Sequence, residues 1–337
     1  MTNKSIFWGL LCAMMCSIGL SWIGLRHYPN YFPKPHYEGR MTDMSVPEID
    51  LGRHLFYDPR LSRDNSISCA SCHSPFNAFA HSDHDLSHGI DDQIGTRNAP
   101  GLFNLGWQTE FMWDGAINHL DMQALAPMTH PKEMDESLTN VLQKLSTDAF
   151  YRKKFENVYG PDGLTGPNFL RALTAFELSL ISTDAYYDKV TQNRAQFTKQ
   201  QVRGQALFTK HCQSCHKAPL FSNYEFVRHT LKIDSTLDDL GRFMVTLRSQ
   251  DSARFKVPSL RNLSFTAPYM HDGRFHSLRE VLNHYAQTDT ARPDVDPRLK
   301  KAVVADAVDK TDLIAFLLTL NDTTFVFNPD HRLPYPY

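Results

Sequence analysis

The sequence predicts a mainly α-helical chain: two similar helical domains in tandem, preceded by one N-terminal membrane-spanning helix. Three observations carry that prediction. Residues 6–25 form an apolar run without a charge. Further on, apolar residues recur at helical intervals while strand-like alternation is scarce. Two copies of one short cysteine–histidine motif lie in surroundings that echo each other.

The chain has 337 residues, 42% hydrophobic and 21% charged, enough apolar material for two cores and unlike a disordered or collagen-like composition. Thirty-five basic and 37 acidic residues leave a net charge of −2 with no long run of either sign, so the concentrated basic surface of a nucleic-acid binder is missing. Six cysteines are too few for a disulfide scaffold.

The apolar run, Ile6 to Leu25, follows Lys4 and precedes Arg26 and His27. About twenty apolar residues are what one bilayer-spanning helix needs. A cleaved signal usually has a shorter apolar core and a small-x-small site, which is missing here. Met15 before Cys16 and Leu11 before Cys12 do not form lipid-attachment sites. An uncleaved anchor is therefore favoured over a signal for residues 1–28. Either way the remainder is exported. Three prolines between Tyr28 and His36 suit an extended linker, assigned to residues 29–44.

The other four cysteines form Cys69-Ala-Ser-Cys72-His73 and Cys212-Gln-Ser-Cys215-His216. C-x-x-C-H is the attachment signature of c-type haem. Two cysteines three apart on a helical turn face the same way and can form thioethers to the two vinyl groups, while the adjacent histidine reaches the iron. A zinc site is the competing reading, but the two pairs are far apart and the histidines stay unexplained. Chance would give about 0.005 occurrences for this composition.

Gly52-Arg-His-Leu55-Phe56 precedes the first motif and Gly204-Gln-Ala-Leu207-Phe208 the second. Arg97-Asn98 followed by Phe111-Met112-Trp113-Asp114-Gly115 matches Arg261-Asn262 followed by Tyr269-Met270-His271-Asp272-Gly273. The alternative is that such short matches are coincidence. A duplication gives two cytochrome c-like haem domains, 45–185 and 186–325, with a polar boundary near 184–197 and a tail at 326–337. Ser137 and Thr198 read as N-caps of helices running through Leu145 and Leu207, and Leu170–Ile181 and Asp312–Leu320 carry helical periodicity.

Twelve residues beyond Gly115 stands Pro127, and twelve beyond Gly273 stands Tyr285. Proline cannot ligate iron and a tyrosine oxygen can, so one haem is expected open and the other capped. The first copy also has Gln123 and Glu133 where the second has Val281 and Ala291. A carboxylate beside an open iron can move a proton between the oxygens of peroxide, and an amide can orient the bound oxygen. Singly, Glu133 could be a solvated helix-start carboxylate, Gln123 an exposed helix residue and Tyr285 a core tyrosine.

Together these residues resemble the bacterial dihaem cytochrome c peroxidase and MauG family, over nearly all of residues 45–320. The resemblance rests on both C-x-x-C-H motifs, Arg97-Asn98-Ala-Pro100, Trp113-Asp114-Gly115, Gln123, Pro127, Glu133 and Thr266-Ala-Pro-Tyr-Met-His-Asp-Gly273. It implies a peroxidatic N-terminal haem on Cys69, Cys72 and His73, and an electron-accepting C-terminal haem on Cys212, Cys215 and His216. It also implies Trp113 between them, and a calcium ion held by the Asn98 side chain and the carbonyls of Thr266 and Pro268, hard oxygen ligands that suit that ion.

Two departures stand out. Tyr285 replaces the methionine that caps the C-terminal haem in most peroxidases, as in MauG, and an anionic oxygen favours oxidised iron where methionine raises the potential. Many members also carry a histidine before Arg-Asn that blocks the peroxidatic iron. Here His81, His84 and His88 occupy that loop; His88 is the best placed, its spacing to Arg97 is imperfect, and no gating histidine is assigned.

The expected function is reduction of hydrogen peroxide to water with electrons from a small exported c-type cytochrome or cupredoxin. Glu133 is then the acid–base group, Gln123 positions peroxide, and Trp113 carries charge. The alternative is a MauG-like oxidase that uses peroxide to oxidise tyrosine or tryptophan of a partner protein. A dihaem carrier without peroxide chemistry is a third reading, and Pro127 argues against it. Homodimerisation is left open.

Overall fold

The computed structural model describes residues 28–287, 294–301 and 304–334. The apolar run 6–25, with Cys12 and Cys16, lies outside the described residues, as does Ala291. Among the described residues no helix is long and apolar enough to cross a membrane. Residues 28–33 belong to a separate N-terminal unit, and Lys34–Tyr337 forms one compact unit.

That unit is mainly helical. In chain order its helices are α1 (Glu38–Asp43), α2 (Val46–Tyr57), α3 (Cys69–Cys72), α4 (Leu125–Thr129), α5 (Leu138–Ser146), α6 (Ala149–Tyr159), α7 (Gly166–Ser179), α8 (Tyr186–Thr191) and α9 (Lys199–His211), then α10 (Phe243–Thr246), α11 (Leu278–Gln287), α12 (Ala307–Leu317) and α13 (Thr323–Val326). Strands β1 (Phe226–Arg228) and β2 (Arg254–Lys256) pair antiparallel, Val227 opposite Phe255. The helix starts follow side-chain caps. Ser137 accepts from Asn140 N–H at 3.2 Å, and Thr198 accepts from Gln201 N–H at 3.2 Å, satisfying donors that the first turn leaves free.

Each half is built on one close helix crossing. A Cβ on Gly52 of α2 would lie 1.9 Å from the Ala172 carbonyl oxygen of α7, and one on Gly204 of α9 would lie 2.0 Å from that of Asp312 on α12. Only glycine lets the backbones approach so closely. Phe56, Phe79, Phe169 and Phe176 fill the first core, and Phe208, Phe221, Leu313 and Phe316 the second. Downstream, Phe111 N–H donates to Ile117 O and Tyr269 N–H to Phe275 O, both at 2.7 Å.

The two halves share these features, but their register differs in part from the one read in the sequence. Asn104, not Asn98, does what Asn262 does: Asn104 N–H donates to Leu180 O and its Oδ1 accepts from Ser182 N–H, while Asn262 N–H donates to Leu320 O and its Oδ1 accepts from Asp322 N–H. The offset of 158 residues that pairs Gly115 with Gly273 therefore pairs Asn98 with Lys256.

Three stretches differ from the expected boundaries. The linker assigned to 29–44 contains α1, because Tyr37, Met41 and Met44 bury their apolar side chains in the first core. The polar stretch 184–197 contains α8, drawn inward by Asp188, whose carboxylate meets the Arg261 guanidinium at 2.7 and 2.8 Å. The end of the chain returns to the first half. Phe325 and Val326 complete its core, Tyr57 Oη donates to His331 O at 2.6 Å, and the His331 ring stands edge-on to Phe79.

The halves are joined by charge and by backbone. Arg97 spans Asp114 (2.7 Å) and Asp239 (2.6 and 2.8 Å), a paired geometry that suits a planar guanidinium. Arg242 donates to Glu110 Oε1 at 2.8 Å and to Asp114 O at 3.1 Å. Asn98 N–H donates to His271 O, and Lys256 N–H donates to Trp113 O, both at 2.7 Å.

Candidate active site

The first motif forms the single turn α3, with His73 N–H donating to Cys69 O at 2.9 Å; the second continues from α9, with His216 N–H donating to Cys212 O at 3.0 Å. His73 Nδ1 lies 2.7 Å from Phe79 O, and His216 Nδ1 lies 3.1 Å from the carbonyls of Phe221 and Pro258. Carbonyls only accept, so Nδ1 carries the proton in both rings and Nε2 keeps its lone pair for a metal. Burial pushes both imidazoles down to about 4, so both are neutral at pH 7.

None of the four motif cysteines is in a disulfide. Burial pushes Cys69 and Cys212 up to about 12 and Cys72 up to about 11. Among the described residues no three His, Cys, Asp or Glu side chains converge on a metal-sized point. Without such a cluster the zinc reading finds no ligand set among the described residues. Cys72, His73, Cys212, Cys215 and His216 instead line one cavity of about 610 Å³. Cysteine pairs on helical turns, histidines with a free Nε2 and a largely aromatic and aliphatic wall fit two c-type haems.

Gln123, Pro127 and Glu133 line the same cavity as His73. Burial holds the Glu133 carboxyl above the usual range, partly offset by His130, whose Nδ1 lies 3.9 Å away. Gln123 Nε2 lies 3.7 Å from Met112 Sδ. Val281 and Tyr285 line the cavity from α11, together with Cys212, Cys215 and His216. Burial, and then the neighbouring Cys212 and Cys215, push the Tyr285 phenol up to about 12. His81, His84 and His88 do not line the cavity; His84 and His88 stack with ring centres 4.2 Å apart, and Ser87, Gly95 and Thr96 form the wall there.

Trp113 lies where the halves meet, its Nε1–H donating to Asn98 O at 2.9 Å. Asn98 Nδ2 donates to Asp85 O at 3.1 Å, which turns the amide so that Oδ1 remains an oxygen donor. Asn98, Thr266 and Pro268 all line the cavity.

A sequence model described as di-haem cytochrome c peroxidase matches residues 47–196. The chain is 34% identical over 304 residues to the methylamine utilization protein MauG of Methylorubrum extorquens, covering 87% of this chain and 82% of that protein. It belongs to the di-haem cytochrome c peroxidase and MauG family. The cytochrome c peroxidase Ccp of Escherichia coli is 35% identical over 286 residues, covering 81% of this chain and 58% of that protein. The solved structure of a MauG-like protein associated with microbial copper homeostasis matches with a TM-score of 0.82 at 29% identity, covering 92% of this chain and 99% of the other. As a member of this di-haem family the chain is an oxidoreductase acting on peroxide, with two c-type haems.

Sequence reasoning missed several residues at the site. Lys256 lines the cavity with its ammonium held by Gln108 and Glu110, and burial pulls it down to about 7. Glu177 is buried on α7, and burial followed by Asp121 pushes its carboxyl up to about 8. Arg97 was visible as a motif residue, but Asp239, its partner 142 positions away, carries no local signal.

Proposed function

We propose that the chain reduces hydrogen peroxide to water at the N-terminal haem, with electrons from a small exported c-type cytochrome or cupredoxin entering at the C-terminal haem. The observation that carries this reading is the wall formed by Gln123, Pro127 and Glu133 in the cavity that holds His73. It offers a proton-transfer group and an amide beside a position with no ligating side chain. The bound haems supply the redox chemistry: electron transfer and cleavage of the O–O bond.

The chain's own residues do the rest. Glu133 takes a proton from one peroxide oxygen and delivers it to the other, which then leaves as water. Its carboxyl, raised by burial, is poised closer to neutrality for both steps, and His130 limits the shift. Gln123 orients the oxygen that Glu133 serves, and Pro127 leaves room for it. His73 and His216 hold iron through Nε2, fixed by their Nδ1–H bonds. Tyr285 would hold the second iron through its oxygen, and Trp113 would carry charge between the halves. Asn98 Oδ1 with the carbonyls of Thr266 and Pro268 holds one calcium ion, hard oxygen donors at the joint between the halves. The apolar run 6–25 anchors the enzyme on the periplasmic side of the inner membrane.

One observation favours a second reading. Tyr285 stands where a high-potential methionine cap would make the second haem a better electron store, and relatives named MauG match most of this chain. An oxygen cap suits an enzyme that holds oxidising equivalents for a partner protein's tyrosine or tryptophan. Adding peroxide to the haem-loaded protein with a reduced small cytochrome separates the two. Many donor oxidations per protein establish the peroxidase; a long-lived oxidised state with little donor consumed establishes the protein oxidase.

A further inference from the structure

The halves meet through two matching hydrogen bonds, and the residues that make them are counterparts. The 158-residue offset pairs Asn98 with Lys256, Trp113 with His271, Gln108 with Thr266 and Glu110 with Pro268. The backbone of Asn98 donates to His271 O, and the backbone of Lys256 donates to Trp113 O, each at 2.7 Å. One internal relation thus carries each bond onto the other.

The side chains then diverge. Asn98, Thr266 and Pro268, the set read above as calcium ligands, line the cavity together. Around Lys256 their counterparts are Gln108 and Glu110, and the Lys256 ammonium donates to Gln108 Oε1 and to Glu110 O, both at 2.7 Å. The same backbone carbonyl position, Pro268 in one copy and Glu110 in the other, faces a cation in each reading.

We propose that Lys256 is a tethered cation at the internal mate of the calcium site, and that it positions Trp113 between the two halves. The comparison rests on the calcium reading; the lysine's three hydrogen bonds do not.

Those bonds tie both ends of residues 108–113 to a single residue of the opposite half. Nζ holds Gln108 and Glu110, and the amide holds Trp113. Asn98 fixes the indole edge of the same tryptophan, so each member of the pair grips Trp113 from a different side. An ammonium has three donors and suits converging oxygens as a small hard cation does, without dissociating. The charged groups around it are satisfied among themselves: Glu110 is paired with Arg242, and Asp114 with Arg97. Burial opposes the charge and outweighs the carboxylates of Glu110 and Asp114, which favour it; the bonds to Gln108 and Glu110 hold Nζ in either protonation state. A residue so held keeps its reacting partners in register, where a shift of about 1 Å can cost on the order of a hundredfold in rate.

The test compares haem-loaded wild type, Lys256→Met and Lys256→Asn by calcium titration and by amide hydrogen exchange over residues 108–115. Wild type should bind one calcium ion per chain. Lys256→Met should still bind one, exchange these amides at least tenfold faster, and slow electron transfer between the haems at least tenfold. Lys256→Asn should exchange fast in chelator, then bind two calcium ions and regain slow exchange when calcium is added. Exchange and inter-haem transfer within twofold of wild type in Lys256→Met would overturn the positioning role. A single calcium in Lys256→Asn, without recovery, would overturn the mate-site relation. If wild type binds no calcium, the reading of Asn98, Thr266 and Pro268 fails, while the exchange result in Lys256→Met still decides Lys256.

Discussion

Arg261 and Asp188 form a two-point ion pair closed off from solvent, with both side chains at 0% exposure. Arg261 Nε also donates to Pro219 O at 2.8 Å, so its charge is fully engaged. The pair ties α8 to the loop whose Phe221 carbonyl holds His216. Removing one member leaves the other charge buried alone. Asp188→Asn or Arg261→Met should each lower stability by about 3–5 kcal/mol. The double variant should recover a large part of that loss in denaturant unfolding; additive losses would show that the two residues act separately.

Glu133→Gln should cut peroxide turnover by about 10²–10⁴-fold while both haems stay attached and retain their spectra. The sign of the pH effect follows from the role. Glu133 must be ionised to accept the first proton, and burial raises its carboxyl. The acid limb of kcat/KM should therefore lie above the ordinary glutamate range in wild type and vanish in the variant. Unchanged turnover would remove Glu133 from proton transfer.

Tyr285→Phe should change the absorption and electron spin resonance signature of the C-terminal haem alone. Burial raises the phenol to about 12, so its use as an anionic ligand would need a bound metal ion to draw it down. A spectrum identical to wild type would mean that the repeat register at position 285 does not place oxygen on iron.

Glu177 makes stability depend on pH. Its folded carboxyl, at about 8, lies above the ordinary glutamate value of 4.5, so the folded state binds a proton that the unfolded state releases. Stability is then full below about pH 4.5 and declines as pH rises towards 8. Glu177→Gln cannot ionise. It should match wild type near pH 4.5 and exceed it at pH 8.5 by on the order of 4 kcal/mol in guanidinium unfolding. A difference that does not grow with pH would show that Glu177 is ionised in the folded protein.

The sequence made the haem motifs, the helix caps at Ser137 and Thr198 and the duplication legible, because each depends on local spacing. The repeat register was misread at Asn98 because two Arg-Asn pairs look alike. Pro100 with Pro258, Leu102 with Leu260 and Asn104 with Asn262 hold the true offset throughout. Lys256 and the Arg97–Asp239 pair stayed hidden for a different reason: their meaning lies in residues far away in the chain. Glu177 reads as one polar residue in an apolar helix, and only burial gives it a shifted carboxyl.

The return of α13 to the first half sets an order on biosynthesis. Phe79 supplies the carbonyl that orients His73, and its ring is packed by Phe325 and His331. Those residues are translated after both haem motifs. The first core therefore lacks Phe325 and Val326 until the second half has been made. The half translated first is thus completed by residues made after those of the second core.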